Sequence, residues 1–440
     1  MNNTKRNRKE NSNFNSPLGV GGNKKKLFFA SRIALIATAM TFAIRADLLG
    51  NTFGEVFKLN NEEIGWCIGT AFWGFTLAMI FGGFLVDLLG MKTILVFAFV
   101  GHLAGIILTI FSVGFWTLFC STLLVGVANG FVEAACNPLV ATLYPDNKTK
   151  MLNGFHVWFP GGIVIGGLVA YALGLFDFGW QVKMSVILIP VFIYGYLFFK
   201  LKLPKTERVS SGISMKDMIK ACLSPLFLFM VFCMFLTAST ELGTNQWITV
   251  LLSNVGVPAI LLLVFINGIM AIGRTFAGPV VHKLNPTGML LFSAFTAGVG
   301  LLMLSYSSGW TTLAATAVFA IGVTYFWPTM LGYVAEYLPR TGALGLSIMG
   351  GAGMLSVSLI LPFMGKLYDS EVVAAIPKTY TITDILNSIQ GTNEFLILTQ
   401  AKVLAGSETL RIVAVLPAFL VVAFLFLYFR TKLIKVKKQI

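Results

Sequence analysis

Long apolar stretches without a single Asp, Glu, Lys or Arg recur along this chain, among them 64–86, 287–308, 311–335 and 343–365. Each is at least as long as the roughly 20 residues that cross a bilayer as a helix. Within lipid every backbone N–H and C=O must be paired inside its own segment, so a series of such windows predicts a helical bundle. Twelve can be counted, at approximately 28–50, 64–86, 93–112, 116–143, 153–175, 183–200, 223–252, 257–281, 287–308, 311–337, 342–366 and 411–430. The expected fold is an all-α membrane protein of twelve transmembrane helices in two six-helix halves. Its parts are a basic tail at 1–27, a first bundle at 28–200, a basic linker at 201–222, a second bundle at 223–430 and a basic tail at 431–440. An external insertion at 368–410 interrupts the second bundle, with two stretches apolar enough for short surface helices.

Charge sets the expected topology. The net charge of +14 could point to nucleic acid, but the Lys and Arg residues collect in the two tails and the linker. That is topology-setting charge, which stays on the cytoplasmic side. Both termini are therefore expected in the cytoplasm, with the protein in a bacterial inner membrane and no nucleic-acid partner. Residues Ala30–Gly50 carry Arg45 and Asp47 where a signal peptide has a plain apolar run, so this segment reads as an uncleaved first helix. Cys67, Cys120, Cys136, Cys222 and Cys233 show no metal-ligand spacing and read as packing residues. No phosphate loop, metal cluster or nucleophile arrangement appears, which argues against an ATP-driven pump or an enzyme.

The halves repeat one another. Gly82 and Gly273, Pro138 and Pro328, and the pairs Gly161-Gly162 and Gly350-Gly351 recur at nearly one offset. Six-helix halves related by a parallel repeat, with a site at their interface, are a transporter layout. The glycine runs fall inside apolar windows, where close helix approach accounts for them.

Charged residues inside the windows are the candidate chemistry: Arg45, Asp47, Glu133, Glu241 and Arg274. Each costs about 2.5–3.5 kcal/mol to insert at mid-membrane, which makes it a functional candidate. Asn129, Glu133 and Asn137 recur at i, i+4, i+8 and predict one polar stripe facing a cavity. A desolvated carboxyl there suits reversible protonation; the alternative is a packing hydrogen bond. Asp47, sharing a face with Asn51, is either a second acid or an interfacial residue, and Arg45 is expected to neutralise an acid of another helix. In the seventh window Thr237, Glu241 and Asn245 form a second stripe beside Trp247. Carboxylate, amide, hydroxyl and indole together suit a polyol. Asn153 and His156 share a face of the fifth window, and Tyr325, Trp327 and Tyr333 of the tenth are candidates for the opposing wall.

Several of these segments resemble the major facilitator superfamily, and within it the fucose permease and glucose-transporter-like branch. Val132-Glu-Ala-Ala-Cys-Asn-Pro-Leu-Val is similar to that branch's fourth-helix signature. Met151-Leu-Asn-Gly-Phe-His-Val-Trp-Phe-Pro-Gly-Gly and Thr240-Glu-Leu-Gly-Thr-Asn-Gln-Trp resemble its fifth- and seventh-helix patterns. Gly83–Lys92 and Gly273-Arg-Thr-Phe-Ala-Gly-Pro are similar to the two copies of the superfamily's loop motif, with Leu88 in place of the usual Arg. The resemblance implies that Glu133 and Asp47 fall on acids tied to proton coupling and sugar binding. It places Asp87, Lys92, Arg274 and Lys283 near the cytoplasmic gate, with Arg45 as a further gating residue. His156 and Phe159 depart from the fucose permease pattern, which moves the expectation from fucose to a hexose-like solute.

The reading is a monomeric secondary transporter in the lipid bilayer that imports a small-molecule solute, a sugar, by alternating access. No cofactor is expected, only a co-transported proton or sodium ion. An exporter of amphipathic compounds, an uncoupled facilitator and a nutrient receptor are the rival readings.

Overall fold

A computed structural model describes residues 23–48, 52–59, 61–251, 259–389 and 391–437 of the chain. The tail at 1–22, Asn51, the loop at 253–256 and the last three residues lie outside the described residues. Eleven helices among the described residues are long and apolar enough to cross a membrane, and the shorter apolar helix Ile260–Thr275 occupies the eighth position. The twelve expected spans are therefore present.

In the first half they are Lys24–Leu48, Asn61–Leu89, Met91–Ile110 and Phe115–Leu143. A broken fifth span follows (Lys148–His156 and Trp158–Leu175), then a broken sixth (Trp180–Ser185 and Leu188–Lys200). The linker carries two short helices, Glu207–Ser210 and Met215–Cys222, begun by Thr206 and Ser214 whose hydroxyls accept backbone N–H groups. The seventh span is Pro225–Ala238 and Thr244–Leu251 joined by a π turn at Ser239–Gly243. The eighth is Ala259–Thr275 continued through residues 277–284, and the ninth covers 286–306, the two meeting at Asn285, whose φ 57°, ψ 170° lies outside the helix. The tenth is split into Trp310–Val323 and Phe326–Tyr337, and the eleventh is Gly342–Ala375.

Two of the breaks have one cause. Proline has no N–H and its ring clashes with the carbonyl four residues earlier. Pro160 thereby deprives the His156 carbonyl of its helical donor, and the fifth span breaks at Val157. Pro328 does the same to Thr324, and the tenth span breaks there, with Tyr325 at φ −103°, ψ −1°.

The halves meet along the second and eleventh spans and along the fifth and eighth. Glycines make this approach possible. A Cβ on Gly83 would lie 2.6 Å from Ser347 Cβ, and one on Gly167 would lie 2.9 Å from Val264 Cγ2. The glycine runs are thus packing devices. Gly162 lets the fifth span lie on the first, and Gly351 lets the eleventh lie on the second.

The segment 368–410, expected as an external insertion with two short surface helices, carries helices at both places, and the second is far longer than expected. The eleventh helix runs through its start to Ala375, a short helix Ile382–Leu386 follows, and Asn393–Val413 is a full helix continued by the twelfth span, Val415–Lys437. Asn393–Val413 packs on the seventh, ninth and eleventh spans and buries Leu398, Ala401, Ala405 and Leu410. Periodic burial at i, i+3, i+7 and i+12 explains why it is helical rather than looped. Replacing residues 376–410 by a short polar linker should therefore lower stability by about 3 kcal/mol or more, since each buried leucine contributes about 1.5–3 kcal/mol. An unchanged melting temperature in the purified variant would show that the segment is a dispensable cap.

Candidate functional site

A small cavity lies between the halves, lined by Glu133, His156, Phe159, Glu241, Leu242, Arg274, Trp327 and Met354. Glu133, His156, Glu241, Arg274 and Trp327 are all buried. Polar groups with no water to turn to must satisfy one another, and here they form a chain. Asn137 Nδ2 donates to Glu133 Oε2 at 3.1 Å, and its Oδ1 accepts from His156 Nε2 at 3.0 Å. That pairing places the ring proton of His156 on Nε2. Arg274 Nη2 donates to Glu241 Oε1 at 2.9 Å, Nη1 to the His156 carbonyl at 3.0 Å and Nε to the Thr324 carbonyl at 2.6 Å.

The last two acceptors are the carbonyls that Pro160 and Pro328 leave without helical donors. One belongs to each half. Arg274 therefore does at mid-membrane what the helix cannot, and the guanidinium fork matches the task because its donors diverge in one plane.

Arg274 is thus central, contrary to the expected gating place. Its resemblance to a loop motif put it at the helix end, whereas its charge is drawn to Glu241 and to two orphan carbonyls. Glu241 sits on the π turn, and its Oε2 has no hydrogen-bond partner; the same is true of the indole Nε1 of Trp327. Asn153 lies at the junction of the halves, donating to the Thr149 carbonyl at 3.0 Å and to Thr329 Oγ1 at 3.3 Å.

Other expected site residues lie elsewhere. Asn129 turns away from Glu133 into the first half, where it accepts from His102 Nε2 at 2.7 Å and donates to Thr41 Oγ1 at 2.9 Å. His102 Nδ1 meets Tyr194 at 2.8 Å, which completes the network. The expected single stripe is thus divided between two networks. Trp247 packs on Tyr368, with ring centroids 6.0 Å apart, rather than on the acids. Tyr325 donates to the Gly273 carbonyl at 2.8 Å, and Asn245 is buried with its Oδ1 unpaired. Asp47 pairs with Lys183 of the sixth span at 2.9 Å and does not line the cavity. Arg45 is buried near Cys67 of the second span. Of the tenth-span aromatics named from sequence, Trp327 lines the cavity; sequence reasoning missed Thr324, although the spacing of Thr324 to Pro328 and of His156 to Pro160 carries the signal for freed carbonyls.

The linker side is closed by a second set of contacts. Asp87 accepts from Arg208 Nε and from Thr206 Oγ1, each at 2.5 Å. Lys148 Nζ bonds Glu207 at 2.7 Å and the Ala335 carbonyl at 3.2 Å, and Glu336 accepts from the Thr149 N–H at 2.8 Å. Asp87, expected near the cytoplasmic gate, has a linker arginine as its partner. Lys92 is anchored to the Phe199 carbonyl at 2.8 Å, capping the sixth span, and Lys283 is exposed.

Fold and site together define a twelve-helix membrane transporter with a buried polar centre between its halves. The chain belongs to the major facilitator superfamily, whose family model matches residues 27–361. This is a family of transporters, not of enzymes. Among relatives, the facilitated glucose transporter member 10 of Xenopus laevis is 28% identical over 178 residues, 36% of this chain and 32% of that protein. The D-xylose transporter of Levilactobacillus brevis is 26% identical over 161 residues, 35% of this chain and 34% of that protein. The chain spans about a third of the length of these two relatives. The gentisate transporter of Corynebacterium glutamicum is 20% identical over 340 residues, 72% of this chain and 75% of that protein. Solved structures with the same fold include the proton:xylose symporter XylE (TM-score 0.68, 14% identity, 91% of this chain and 96% of that one). The E. coli fucose:proton symporter FucP is another (TM-score 0.64, 15% identity, 89% of this chain and 98% of that one).

Two variants test these assignments. Asn129→Leu should lower stability by about 1–3 kcal/mol, because His102 and Thr41 lose buried partners, while ligand affinity stays within about twofold; a large affinity loss would return Asn129 to the site. Arg208→Asp should disrupt the linker-side closure by facing Asp87 with like charge. Combining it with Asp87→Arg should restore transport, and failure of that rescue would dissociate the pair from gating.

Proposed function

We propose that the chain imports a neutral polyhydroxylated solute of the pentose or hexose class together with a proton. The single observation that carries the substrate class is what the central cavity presents: one unpaired carboxylate oxygen, Glu241 Oε2, and the indole N–H of Trp327, which lies beside the Glu133 carboxyl without a well-formed hydrogen bond. A hydroxyl group donates to the first and accepts from the second. Phe159, Leu242 and Met354 supply apolar wall for the carbon face of a sugar ring. The printed names of two relatives, transporters of glucose and D-xylose, agree with this reading.

An organic acid is the second reading, favoured by the longer match to the gentisate transporter. It would need a cation with free donors. Arg274 already serves two carbonyls and a carboxylate, so a ligand carboxylate would have to displace one of them and face Glu133 and Glu241 as well. The sugar reading is therefore preferred. A thermal-shift panel separates the two, since a ligand that binds only the native state raises apparent stability, by about 2.7 kcal/mol at a hundred times its Kd. D-Xylose or D-glucose should raise the melting temperature while gentisate and glucuronate do not, and the opposite pattern would overturn the reading.

Coupling is assigned to Glu133. Its carboxyl is buried with a neutral amide as its hydrogen-bond partner, and the nearby Arg274 is committed to Glu241. Two acids and one arginine leave one negative charge in the centre, and a proton on Glu133 removes it. Moving that proton through the membrane potential supplies about 2.3 kcal/mol per 100 mV. Glu133→Gln should abolish uphill accumulation in proteoliposomes while sparing exchange between equal concentrations. Accumulation retained in this variant would make Glu133 a packing residue.

A further inference from the structure

Arg274 holds more than its acid. Of its three acceptors, the Glu241 carboxylate and the Thr324 carbonyl belong to its own half, and the His156 carbonyl belongs to the other. The His156 ring is tied through Asn137 to Glu133. A continuous hydrogen-bonded path therefore runs from Glu133 in the fourth span to Glu241 in the seventh, and Arg274 Nη1 to the His156 carbonyl is its crossing between halves.

The energetic weight of this crossing follows from what each side lacks. Pro160 cannot donate to the His156 carbonyl, and His156 is buried between the halves, where Arg274 Nη1 is the donor that reaches it. When the halves separate at this level the contact is lost, and the carbonyl must be solvated by whatever enters the opening. The contact therefore favours the closed arrangement. On the linker side the same arrangement is held by Asp87 with Arg208, by Lys148 with Glu207 and Ala335, and by Glu336 with Thr149. None of those contacts involves Arg274, so they remain when the central contact is lost, and any added separation of the halves is then read on the opposite side.

We propose that Arg274 is the central pin of the closed state, a positioning residue whose bridge between two proline-freed carbonyls holds the halves together and breaks each time the cavity opens away from the linker. It acts on the equilibrium between closed and open arrangements. The pin does not depend on which solute is carried, and its test uses none.

The measurement is the distance between spin labels placed on the two halves on the side opposite the linker, at Phe178→Cys and Trp310→Cys. Both positions are exposed. The exposed Cys120 is replaced by Ser in this background, and the full chain is held in lipid nanodiscs without ligand. Arg274→Lys keeps the charge beside Glu241 but loses the fork that reaches three acceptors. Pro160→Ala leaves Arg274 and both acids untouched and gives the His156 carbonyl a backbone donor of its own, so that opening no longer orphans it. Each variant should raise the ratio of wide to narrow distances about three- to tenfold, the effect of losing one hydrogen bond of ordinary strength. Because both act on one contact, the double variant should exceed the larger single effect by less than about twofold. Distances unchanged in Pro160→Ala would overturn the proposal even if Arg274→Lys folds poorly. Fully multiplicative effects in the double variant would overturn it as well, by showing that the two residues act separately.

Discussion

A carbonyl inside the hydrocarbon layer has to find its donor within the protein, and the centre of this molecule is arranged around two that a helix cannot serve. Pro160 and Pro328 create them, one in each half. The prolines also break the fifth and tenth spans, and the breaks turn the freed oxygens toward the cavity side, where Arg274 reaches both. A buried arginine is expensive in lipid. Here its cost is offset by three acceptors that would otherwise each lack a donor, and it then fixes the place of Glu241. The acid, the arginine and the two prolines are one unit: the prolines free the carbonyls that Arg274 serves, and removing Arg274 leaves both carbonyls and Glu241 without that donor.

Charge is handled differently at the centre and at the linker side. At the linker side Lys148, Asp87, Arg208, Glu207 and Glu336 pair as ions or serve backbone groups at helix ends, with Glu207 half open to solvent. Lys148 with Glu207 is weak where water competes for the acid, whereas Asp87 and Arg208 are shielded from it. At the centre two acids share one arginine, and the remaining negative charge has no protein counter-ion among the cavity-lining residues. That unbalanced charge is the observation on which the proposed proton coupling at Glu133 rests.

Much of the architecture was legible because lipid imposes it on the sequence. Windows free of charge gave the spans, and the repeat of Pro138 by Pro328 pointed to paired halves that meet around a site. Acids at 133 and 241 stood out for the same reason, and both line the cavity. What was not legible depended on backbone rather than on side-chain chemistry. The π turn at Ser239–Gly243 adds a residue to one turn, so the i, i+4 arithmetic that linked Glu241 to Asn245 and Trp247 fails beyond it. Trp247 is carried to Tyr368, and Trp327 is the indole that faces the acids. Asn129 is one helical turn from Glu133, yet His102 on the third span competes for it, and no pattern within the fourth span records that competitor. The helix Asn393–Val413 escaped because its polar face is as evident in sequence as its buried one, and only the surfaces of the seventh, ninth and eleventh spans decide which face governs.

Arg274 shows how the two kinds of evidence divide. Its charge inside an apolar window marked it as functional, while the surrounding Gly-Arg-Thr-Phe-Ala-Gly pattern resembled a motif of the gate. Motif likeness gave the wrong depth because a guanidinium settles where acceptors are unmet, and its acceptors here are carbonyls, which carry no sequence letter. Their signature is the residue four places later. A proline inside a transmembrane window therefore names a second residue, the one at i−4, whose carbonyl seeks a donor in the neighbouring helices. Applied to Pro160 and Pro328, that rule selects His156 and Thr324, the two backbone partners of Arg274.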